Sequence, residues 1–315
     1  MNGSRIAAVG HYQPAQVLTN EDLAGMVDTS DEWIRSRVGI RTRHIAGPDE
    51  PVDELAAHAG AKALAAAGLT PGEIDLVLVA TSTAEDRSPN MAARVAARLG
   101  IPSPAVMDLN VVCAGFTHAL ATADHAVRAG ASARALVIGA DKMSAVTDWS
   151  DRTTCVLVGD GAGAAVVEAS APDAEPGIGP VLWGSVPDMG HAVRIEGTPP
   201  RFAQEGQSVY RWATTRLPSI ARQACERAGL APEDLAGVVL HQANLRIIEP
   251  LAEKIGAVNA VVARDVVDSG NTSAASIPLA LSKLVERGEI GTGDPVLLFG
   301  FGGNLSYAGQ VVRCP

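Results

Sequence analysis

The apolar positions of this chain change their period close to residue 113. A short apolar run from Ala105 to Leu109 predicts a buried strand. From Phe116 onward the apolar residues recur at spacings of three and four, at positions 116, 120, 123 and 127, which predicts a helix. Cys113 therefore lies at a predicted turn between a strand and a helix. Free backbone N–H groups and the positive end of a helix dipole favour a thiolate there, although a single cysteine is more often a small buried apolar residue.

A strand-and-helix pattern recurs at an offset of 161 residues. The helical pattern that ends at Ala67-Gly-Leu is followed by a strand at 76–79, and the one that ends at Ala228-Gly-Leu is followed by a strand at 238–240. Self-similarity at so long a period predicts a duplicated α/β domain, with halves at residues 1–169 and 170–315. We expect the halves to pack about a pseudo-twofold axis, which would bring Cys113 of one half against Asn271 of the other.

Two glycine-rich stretches require an interpretation. The segment Gly159-Asp-Gly-Ala-Gly163 lies between apolar runs at 154–158 and 164–168. Asp-Gly between two strands favours a hairpin turn, whereas a dinucleotide-binding loop needs a helix after its glycines. Residues 172–208 are rich in glycine and proline, which predicts a loop-rich connection between the halves and a wall of a substrate channel.

Composition and charge restrict the class of protein. Of the 315 residues, 47% are hydrophobic and 19% are charged, which supports a large buried core. A net charge of −10 argues against a nucleic-acid or membrane-surface binder. No apolar segment near the start predicts a signal peptide or a membrane span. The four cysteines form no Cys-x-x-Cys pair, so we expect no disulfide, no metal site and a reducing cytoplasm, with cysteines 155, 225 and 314 outside the chemistry.

Two further groups are candidates for chemistry. Four arginines surround Trp33 between positions 31 and 44, which is typical of a solvated basic loop but also suits an anionic ligand with a stackable base. His241 directly follows a predicted strand and would lie at the same edge as Asn271. A cysteine with histidine and asparagine converging on it suits a nucleophile with donors for a developing oxyanion.

At these residues the chain resembles the β-ketoacyl-acyl-carrier-protein synthase III family of thiolase-fold condensing enzymes. The matching motifs run in family order through nearly the whole chain: Asp31-Glu-Trp-Ile34, Val38-Gly-Ile-Arg-Thr-Arg-His44, Cys113-Ala-Gly-Phe116, Gly159-Asp-Gly-Ala-Gly163, His241-Gln-Ala-Asn-Leu-Arg-Ile-Ile248 and Gly270-Asn-Thr-Ser-Ala-Ala-Ser-Ile-Pro278. The resemblance implies an α/β, thiolase-like five-layered αβαβα fold built from two duplicated halves, and a homodimer.

The resemblance also implies roles for individual residues. Cys113 would accept an acyl group from acyl-CoA, with no cofactor. His241 and Asn271 would then bind the thioester carbonyl of malonyl-acyl carrier protein while carbon dioxide leaves, and the N–H groups of Cys113 and Gly303 would form the oxyanion hole. The remaining implied contacts are Trp33, Arg37 and Arg152 for CoA, and Arg211, Arg246 and Lys254 for the carrier protein.

Three departures from the family pattern concern the acyl substrate and one turn. Asn304 follows Gly303 where glycine is common, and asparagine tolerates left-handed backbone. Ser88 stands where many members carry a phenylalanine that closes the acyl pocket from the other subunit. Residues 186–207 match the family poorly. These departures leave open which acyl group is used and whether the product enters fatty acids or a specialised polyketide.

Other activities fit the residues less well. A degradative thiolase needs a second cysteine in a Cys-x-Gly context, which Cys314-Pro315 does not supply. A plant-type polyketide synthase is longer and lacks the segment around Trp33. An acyltransferase that uses an oxygen or nitrogen acceptor would have no evident need for Asn271. A non-catalytic partner that only docks a carrier protein would have no need for Cys113.

Overall fold

The structure, a computed structural model that describes residues 3–171 and 173–315, contains two five-stranded sheets, each confined to one part of the chain. The elements of the first part are β1 (Ser4–Tyr12), β2 (Val17–Thr19), α1 (Asn20–Ala24), α2 (Asp31–Val38), β3 (Thr42–His44), α3 (Val52–Ala67), β4 (Leu76–Ala80), α4 (Met91–Leu99), β5 (Ala105–Leu109), α5 (Gly115–Arg128), β6 (Arg134–Lys142) and β7 (Asp160–Ala169). The first sheet has the order β1-β7-β6-β4-β5, and β2 pairs with β3 separately.

The second part repeats this arrangement. Its elements are β8 (Leu182–Gly184), β9 (Val193–Glu196), β10 (Arg201–Gln204), α6 (Gly206–Thr215), α7 (Leu217–Arg227), β11 (Gly237–Leu240), α8 (Leu245–Ile255), β12 (Val261–Val262), α9 (Val266–Ser269), α10 (Ser276–Glu286), β13 (Pro295–Phe301) and β14 (Tyr307–Arg313). The second sheet has the order β12-β11-β13-β14-β8, and β9 pairs with β10. Strands β4, β5 and β6 of the first sheet are parallel to one another, and so are strands β11, β12 and β13 of the second sheet.

The sheets and helices stack in five layers. Helices α3 and α4 cover the outer face of the first sheet, with Leu55 and Val95 buried against Val77. Helices α5 and α10 lie between the sheets, where Phe116 packs in the same core as Leu298. Helices α6, α7 and α8 cover the outer face of the second sheet. The expected αβαβα architecture is therefore confirmed.

The offset of 161 residues holds from element to element. Strands β4 and β11 begin at residues 76 and 237, strands β6 and β13 at 134 and 295, and helices α5 and α10 at 115 and 276. At this offset Cys113 corresponds to Ala274, and Asn271 corresponds to Asn110. Since all strands of the two sheets lie within residues 4–169 and 182–313, the arrangement supports the halves that we propose at 1–169 and 170–315.

The hairpin prediction at Gly159–Gly163 is wrong. Residues 160–169 form the single strand β7, residues 154–157 are turns, and Val158 forms only an isolated bridge with Asn271. The glycines permit close contact with the second half: a Cβ on Gly159 would lie 2.2 Å from the Ser269 carbonyl oxygen, and one on Gly163 would lie 2.4 Å from the Leu279 nitrogen. The glycines are therefore required by packing between layers, which the local pattern does not reveal.

Strand β5 has the predicted bounds but is not buried in the single chain. It is an edge strand, and Met107 is 45% exposed. An exposed edge strand with apolar side chains presents unpaired backbone groups that can join a second chain.

Candidate active site

Cys113 lies where the sequence predicted, between strand β5 and helix α5. A short 3-10 turn at Val112–Ala114 leads directly into the helix. The thiol is 8% exposed. Burial raises the pKa of the Cys113 thiol to about 12, and the charge of Asp141 acts in the same direction. Nearby polar groups, the Ser273 hydroxyl and the backbone N–H groups of Gly303 and Cys113, oppose this rise. The expected bias of the turn towards a thiolate is thus outweighed by desolvation.

His241 follows the last residue of β11, and its surroundings keep the ring neutral. It is 2% exposed, and its Nδ1 lies 2.8 Å from the Ser276 hydroxyl oxygen. The Ser276 oxygen also accepts a hydrogen bond from the Gln242 backbone N–H, so the Ser276 hydroxyl is available to donate to Nδ1. Burial lowers the pKa of His241 to about 3. A neutral ring that accepts at Nδ1 carries its proton on Nε2, which then is a hydrogen-bond donor.

Asn271 is held by both of its backbone groups. Its N–H donates to the Leu157 carbonyl at 2.8 Å, and its carbonyl accepts from the Gly159 N–H at 3.0 Å. Its side-chain Oδ1 accepts from the Ser273 N–H at 2.9 Å. With Oδ1 occupied in this way, the Nδ2 group is the part of the amide that can donate to a ligand.

The glycine turn after β13 touches the cysteine turn directly. A Cβ on Gly302 would lie 2.6 Å from the Cβ of Cys113, and one on Gly303 would lie 2.5 Å from Cγ2 of Val112. Asn304 has φ 60 and ψ 12, so the asparagine adopts the left-handed backbone expected of it. The departure from glycine at this position therefore leaves the turn intact.

Two connected spaces surround these residues. The inner cavity has a volume of about 30 Å³, and its wall includes Cys113, His241 and Asn271 together with apolar side chains. An outer groove of about 800 Å³ opens beside it. Both spaces are bordered by the same five residues: Leu157, Gln204, Val209, Asn244 and Ile247.

Residues 186–207 form part of both walls. Val193 and Phe202, which lie on the hairpin β9–β10, border the inner cavity, and Gln207 borders the outer groove. The connection that was predicted to be loop-rich thus contains a two-stranded ribbon that lines the site.

The aromatic and basic residues at the groove partly match the prediction. Trp33 and Arg37 line the groove, and the Arg152 guanidinium carbon lies 5.1 Å from the centre of the Trp33 ring. Of the four arginines near Trp33, Arg43 does not line the groove. It is 0% exposed, and its guanidinium donates to the Val156 carbonyl at 2.8 Å. Arg35 instead pairs with its neighbour Asp31.

The residues expected to bind a carrier protein do not all line the outer groove. Arg211 and Arg246 line the outer groove. Lys254 does not line it, and its ammonium donates to the Thr214 carbonyl at 2.8 Å. Ser88 is exposed on the loop between β4 and α4 and lines neither space of its own chain, so its role in an acyl pocket stays a prediction.

Residues 3–171 and 173–315 contain no group of three or more histidine, cysteine or acidic side chains that could hold a metal ion. Among the helices of the same ranges, none is long and apolar enough to cross a membrane.

Comparison with known proteins decides the family. Residues 107–186 match the profile described as 3-oxoacyl-[acyl-carrier-protein (ACP)] synthase III, and residues 225–314 match the profile of its C-terminal part. The chain is 90% identical, over 100% of both chains, to β-ketoacyl-[acyl-carrier-protein] synthase III 2 of Streptomyces avermitilis. It is 88% identical, over 99% of both chains, to β-ketoacyl-[acyl-carrier-protein] synthase III 4 of Streptomyces coelicolor. The chain belongs to the β-ketoacyl-acyl-carrier-protein synthase III family.

Solved structures of similar proteins share the fold closely. The priming β-ketosynthase of the R1128 polyketide biosynthetic pathway superposes with a TM-score of 0.96 at 41% identity, over 100% of this chain and 97% of the other. The 3-oxoacyl-[acyl-carrier-protein] synthase III of Aquifex aeolicus gives a TM-score of 0.93 at 38% identity, over 99% of this chain and 100% of the other. The predicted family and fold are thereby confirmed.

Three polar residues of the site were missed in the sequence. Asp141 is 0% exposed, and its carboxylate accepts a hydrogen bond from the Ala274 N–H at 3.0 Å. Ser276 contacts His241, and Ser273 lies on the short turn that packs against the turn of Cys113. The serines fall within the Gly270–Pro278 motif, and the duplication offered the only signal: residues 273 and 276 correspond to Val112 and Gly115 beside the cysteine.

Proposed function

We propose that this synthase III starts fatty acid or polyketide chains in two steps. An acyl group passes from acyl-CoA to Cys113, and decarboxylative condensation with malonyl-acyl carrier protein then forms a 3-oxoacyl-acyl carrier protein. The observation that carries this proposal is the inner cavity, whose wall joins Cys113 of one half to His241 and Asn271 of the other. The two substrates supply every reacting group, so the proposal includes no cofactor.

In the first step Cys113 loses its proton and the thiolate attacks the thioester carbonyl of acyl-CoA. The carbonyl oxygen becomes negative, and the bond from carbon to the CoA sulfur then breaks, so that CoA leaves as a thiolate and takes up a proton. We assign the oxyanion hole to the N–H groups of Cys113 and Gly303, and the direct packing of the Gly302–Gly303 turn against Cys113 and Val112 supports this assignment. Loss of one such donor typically slows a reaction by about 10²–10³.

In the second step His241 and Asn271 stabilise the enolate that forms as carbon dioxide leaves malonyl-acyl carrier protein. The Nε2–H of His241 and the Nδ2–H of Asn271 donate to the thioester carbonyl. The carbanion then attacks the acyl carbon, and the bond to the Cys113 sulfur breaks. A histidine with a pKa of about 3 is neutral, so it acts as a fixed hydrogen-bond donor rather than as a cation.

The outer groove suits the long phosphopantetheine arm that both substrates share. Trp33, with Arg152 stacked on it, and Arg37 would bind the nucleotide end of CoA, and the position of Trp33 and Arg37 in the groove wall supports this. Arg211 and Arg246, with Lys254 behind them, form a local basic patch for an acidic carrier protein. On a chain with a net charge of −10, this patch directs a negative partner to one place.

The protein also acts as a homodimer in this proposal. The exposed edge of β5 would pair with the same strand of a second copy, which would cover Met107 and bring Ser88 of one chain towards the acyl pocket of the other. Sedimentation velocity tests this part, because Met107→Lys should then convert the dimer to a monomer. We further propose a cytoplasmic location, since all four cysteines are free.

The experiment is intact-protein mass spectrometry after incubation with acyl-CoA. The parent protein should gain one acyl group and lose it when malonyl-acyl carrier protein is added, with release of carbon dioxide. Cys113→Ala should gain none, because the described site offers no other nucleophile; a stable adduct on that variant would contradict the proposal. If the acyl-enzyme instead transferred its acyl group only to hydroxyl or amino acceptors, the protein would be an acyltransferase that does not catalyse condensation.

A further inference from the structure

Asp141 is a buried carboxylate that joins the two halves of the molecule. It lies near the end of β6 and is 0% exposed. Its Oδ1 accepts from the Ser82 N–H at 2.8 Å and from the hydroxyl groups of Thr83 at 2.9 Å, Thr81 at 3.1 Å and Ser82 at 3.2 Å. Its Oδ2 accepts from the N–H of Ala274, which belongs to the second half, at 3.0 Å. Hydrogen bonds to a charged acceptor are the stronger ones, so this carboxylate has a fixed orientation between the halves.

The second half has a glycine at the position equivalent to Asp141. At the offset of 161 residues, Asp141 corresponds to Gly302, and Ala274 corresponds to Cys113. No side chain fits at Gly302, because a Cβ there would lie 2.6 Å from the Cβ of Cys113. A glycine thus lies beside the cysteine, whose N–H we assign to the oxyanion hole, whereas a carboxylate binds the equivalent N–H of Ala274. The difference suits one turn that reacts and an equivalent turn that is held in place.

The turn that Asp141 holds also sets the side chain of Asn271. It spans Ser273–Ala275 and precedes α10. The N–H of Ser273, the residue before Ala274, donates to Asn271 Oδ1 at 2.9 Å. Ser273 has φ 52, a left-handed backbone that residues other than glycine rarely adopt, so the turn needs contacts from outside to keep its conformation. A shift of the turn would therefore move the amide of Asn271, which borders the inner cavity.

We propose that Asp141 is a positioning residue for decarboxylation: its carboxylate fixes the Ser273–Ala275 turn, which directs the Nδ2–H of Asn271 at the malonyl carbonyl. Asp141 does not border the inner cavity, and it exchanges no proton during the reaction. The inference rests on the proposed role of Asn271 in stabilising the enolate. Acyl transfer to Cys113 does not use Asn271, so it should not depend on this anchor.

Asp141→Asn tests the anchor with almost no change in shape. The amide can keep its oxygen towards the donors of residues 81–83, but its NH₂ group then faces the N–H of Ala274, and two donors form no hydrogen bond. A misplacement of about 1 Å at a reacting group can cost about 10²-fold in rate. We expect release of carbon dioxide from malonyl-acyl carrier protein by the preformed acyl-enzyme to slow by about ten- to hundredfold. Acylation of Cys113 by acyl-CoA, followed by intact mass in a single turnover, should continue close to the parent rate.

Asp124→Asn is the matched control. Asp124 is a second buried carboxylate, 2% exposed, which accepts from the Ser4 hydroxyl and borders neither space of the site. Both steps should proceed in this variant at the parent rates, and thermal unfolding verifies that each variant is folded.

A milder variant decides the question if Asp141→Asn does not fold. The double variant Thr81→Val/Ser82→Ala keeps the carboxylate and the Ser82 N–H but removes two hydroxyl donors from Oδ1. It should slow the release of carbon dioxide alone, by about two- to tenfold, since the net contribution of a neutral hydrogen bond is small. Parent rates in both steps, or equal slowing of both, would then overturn the proposal.

A double-mutant cycle separates positioning from a general structural role. In an Asn271→Ala background, Asp141→Asn should slow the residual release of carbon dioxide no further, because the two residues act through one amide. A further loss in that background would overturn the proposal. So would equal slowing of acylation and decarboxylation in Asp141→Asn, parent rates of both steps in that variant, or the same slowing in Asp124→Asn.

Hydrogen exchange distinguishes failure of this inference from failure of the proposed function. If the parent acyl-enzyme releases no carbon dioxide from malonyl-acyl carrier protein, the proposed function fails. Exchange of the amide protons at 273–275 then decides whether Asp141 anchors the turn. Faster exchange in Asp141→Asn than in the parent and in Asp124→Asn would support the anchor, and unchanged exchange would overturn it.

Discussion

Val112 and Ser273 lie 161 residues apart, at equivalent positions of the two halves, and both have a left-handed backbone, with φ 48 and φ 52. Each begins the short 3-10 turn that precedes a central helix, α5 or α10. A non-glycine residue in this region costs on the order of 1–3 kcal/mol. That both copies retain the same costly turn indicates that it sets where the two helices begin, and thereby where Cys113 and Asn271 meet.

Gly303→Ala should damage acylation, because its Cβ would lie 2.5 Å from Cγ2 of Val112 and would push the glycine turn away from Cys113. If the Gly303 N–H belongs to the oxyanion hole, the acylation rate should fall by about 10²-fold or more. Stopped-flow acylation measures this rate. Gly72→Ala is the control, since a Cβ at Gly72 has no atom within 4 Å; a loss confined to Gly303→Ala is expected, and parent-like acylation would refute the role of its N–H.

His241→Ala and Asn271→Ala should still accept an acyl group but fail at decarboxylation, because their proposed contacts are to the malonyl carbonyl. Intact mass should show a trapped acyl-Cys113, and a coupled assay should detect no carbon dioxide. Condensation at the parent rate in either variant would remove that residue from enolate stabilisation.

Stability should fall as the pH is lowered from about 6.5 towards 3. Unfolded His241 takes up a proton at its ordinary pKa of 6.5, whereas the folded protein holds this pKa at about 3. The unfolded state therefore binds more protons in this window, which favours unfolding by up to about 1.4 kcal/mol per pH unit. Urea unfolding gives the free energy of unfolding at about pH 7 and at about pH 5. Between these pH values it should fall by about 2 kcal/mol more in the parent protein than in His241→Gln. An equal pH dependence of the free energy of unfolding in the parent and in His241→Gln would contradict a buried, neutral His241 ring.

Arg246→Glu should weaken use of the carrier protein far more than use of acyl-CoA, because the exposed guanidinium lies at the groove, where an acidic partner would dock. The remaining carrier-dependent rate should be sensitive to salt. The measurement is kcat/KM for each substrate at two ionic strengths. Arg287→Glu makes the same charge change outside the groove and should have no such effect; equal losses for both substrates would contradict docking at Arg246.

Ser88→Phe should narrow the acyl pocket if this loop reaches the partner chain as proposed. Each buried CH₂ is worth about 0.8 kcal/mol, so two or three extra carbons can raise specificity by roughly ten- to fiftyfold. Parent enzyme should accept starters larger than acetyl, and the variant should lose them while it retains acetyl. A chain-length series of kcat/KM values tests this, and an unchanged profile would exclude Ser88 from the pocket.

The sequence alone determined the duplicated architecture and the main chemical groups. Hydrophobic period and spacing located the strand-to-helix turn at Cys113 and the strand before His241, because these features depend on neighbouring residues and on the repeat. The family motifs then identified the fold. The left-handed backbone of Asn304 is compatible with what its residue type tolerates.

Only the tertiary structure decided features that depend on distant contacts. The glycines at 159 and 163 are required by the approach of Ser269 and Leu279, so their hairpin pattern was misleading. Arg43 is buried although its sequence neighbours are basic and polar, because it reaches the Val156 carbonyl across 113 positions. Cys113 has a raised pKa because packing around the turn removes water, an effect that outweighs the local N–H groups. Desolvation depends on which segments fold over a group, and therefore no local pattern reports it.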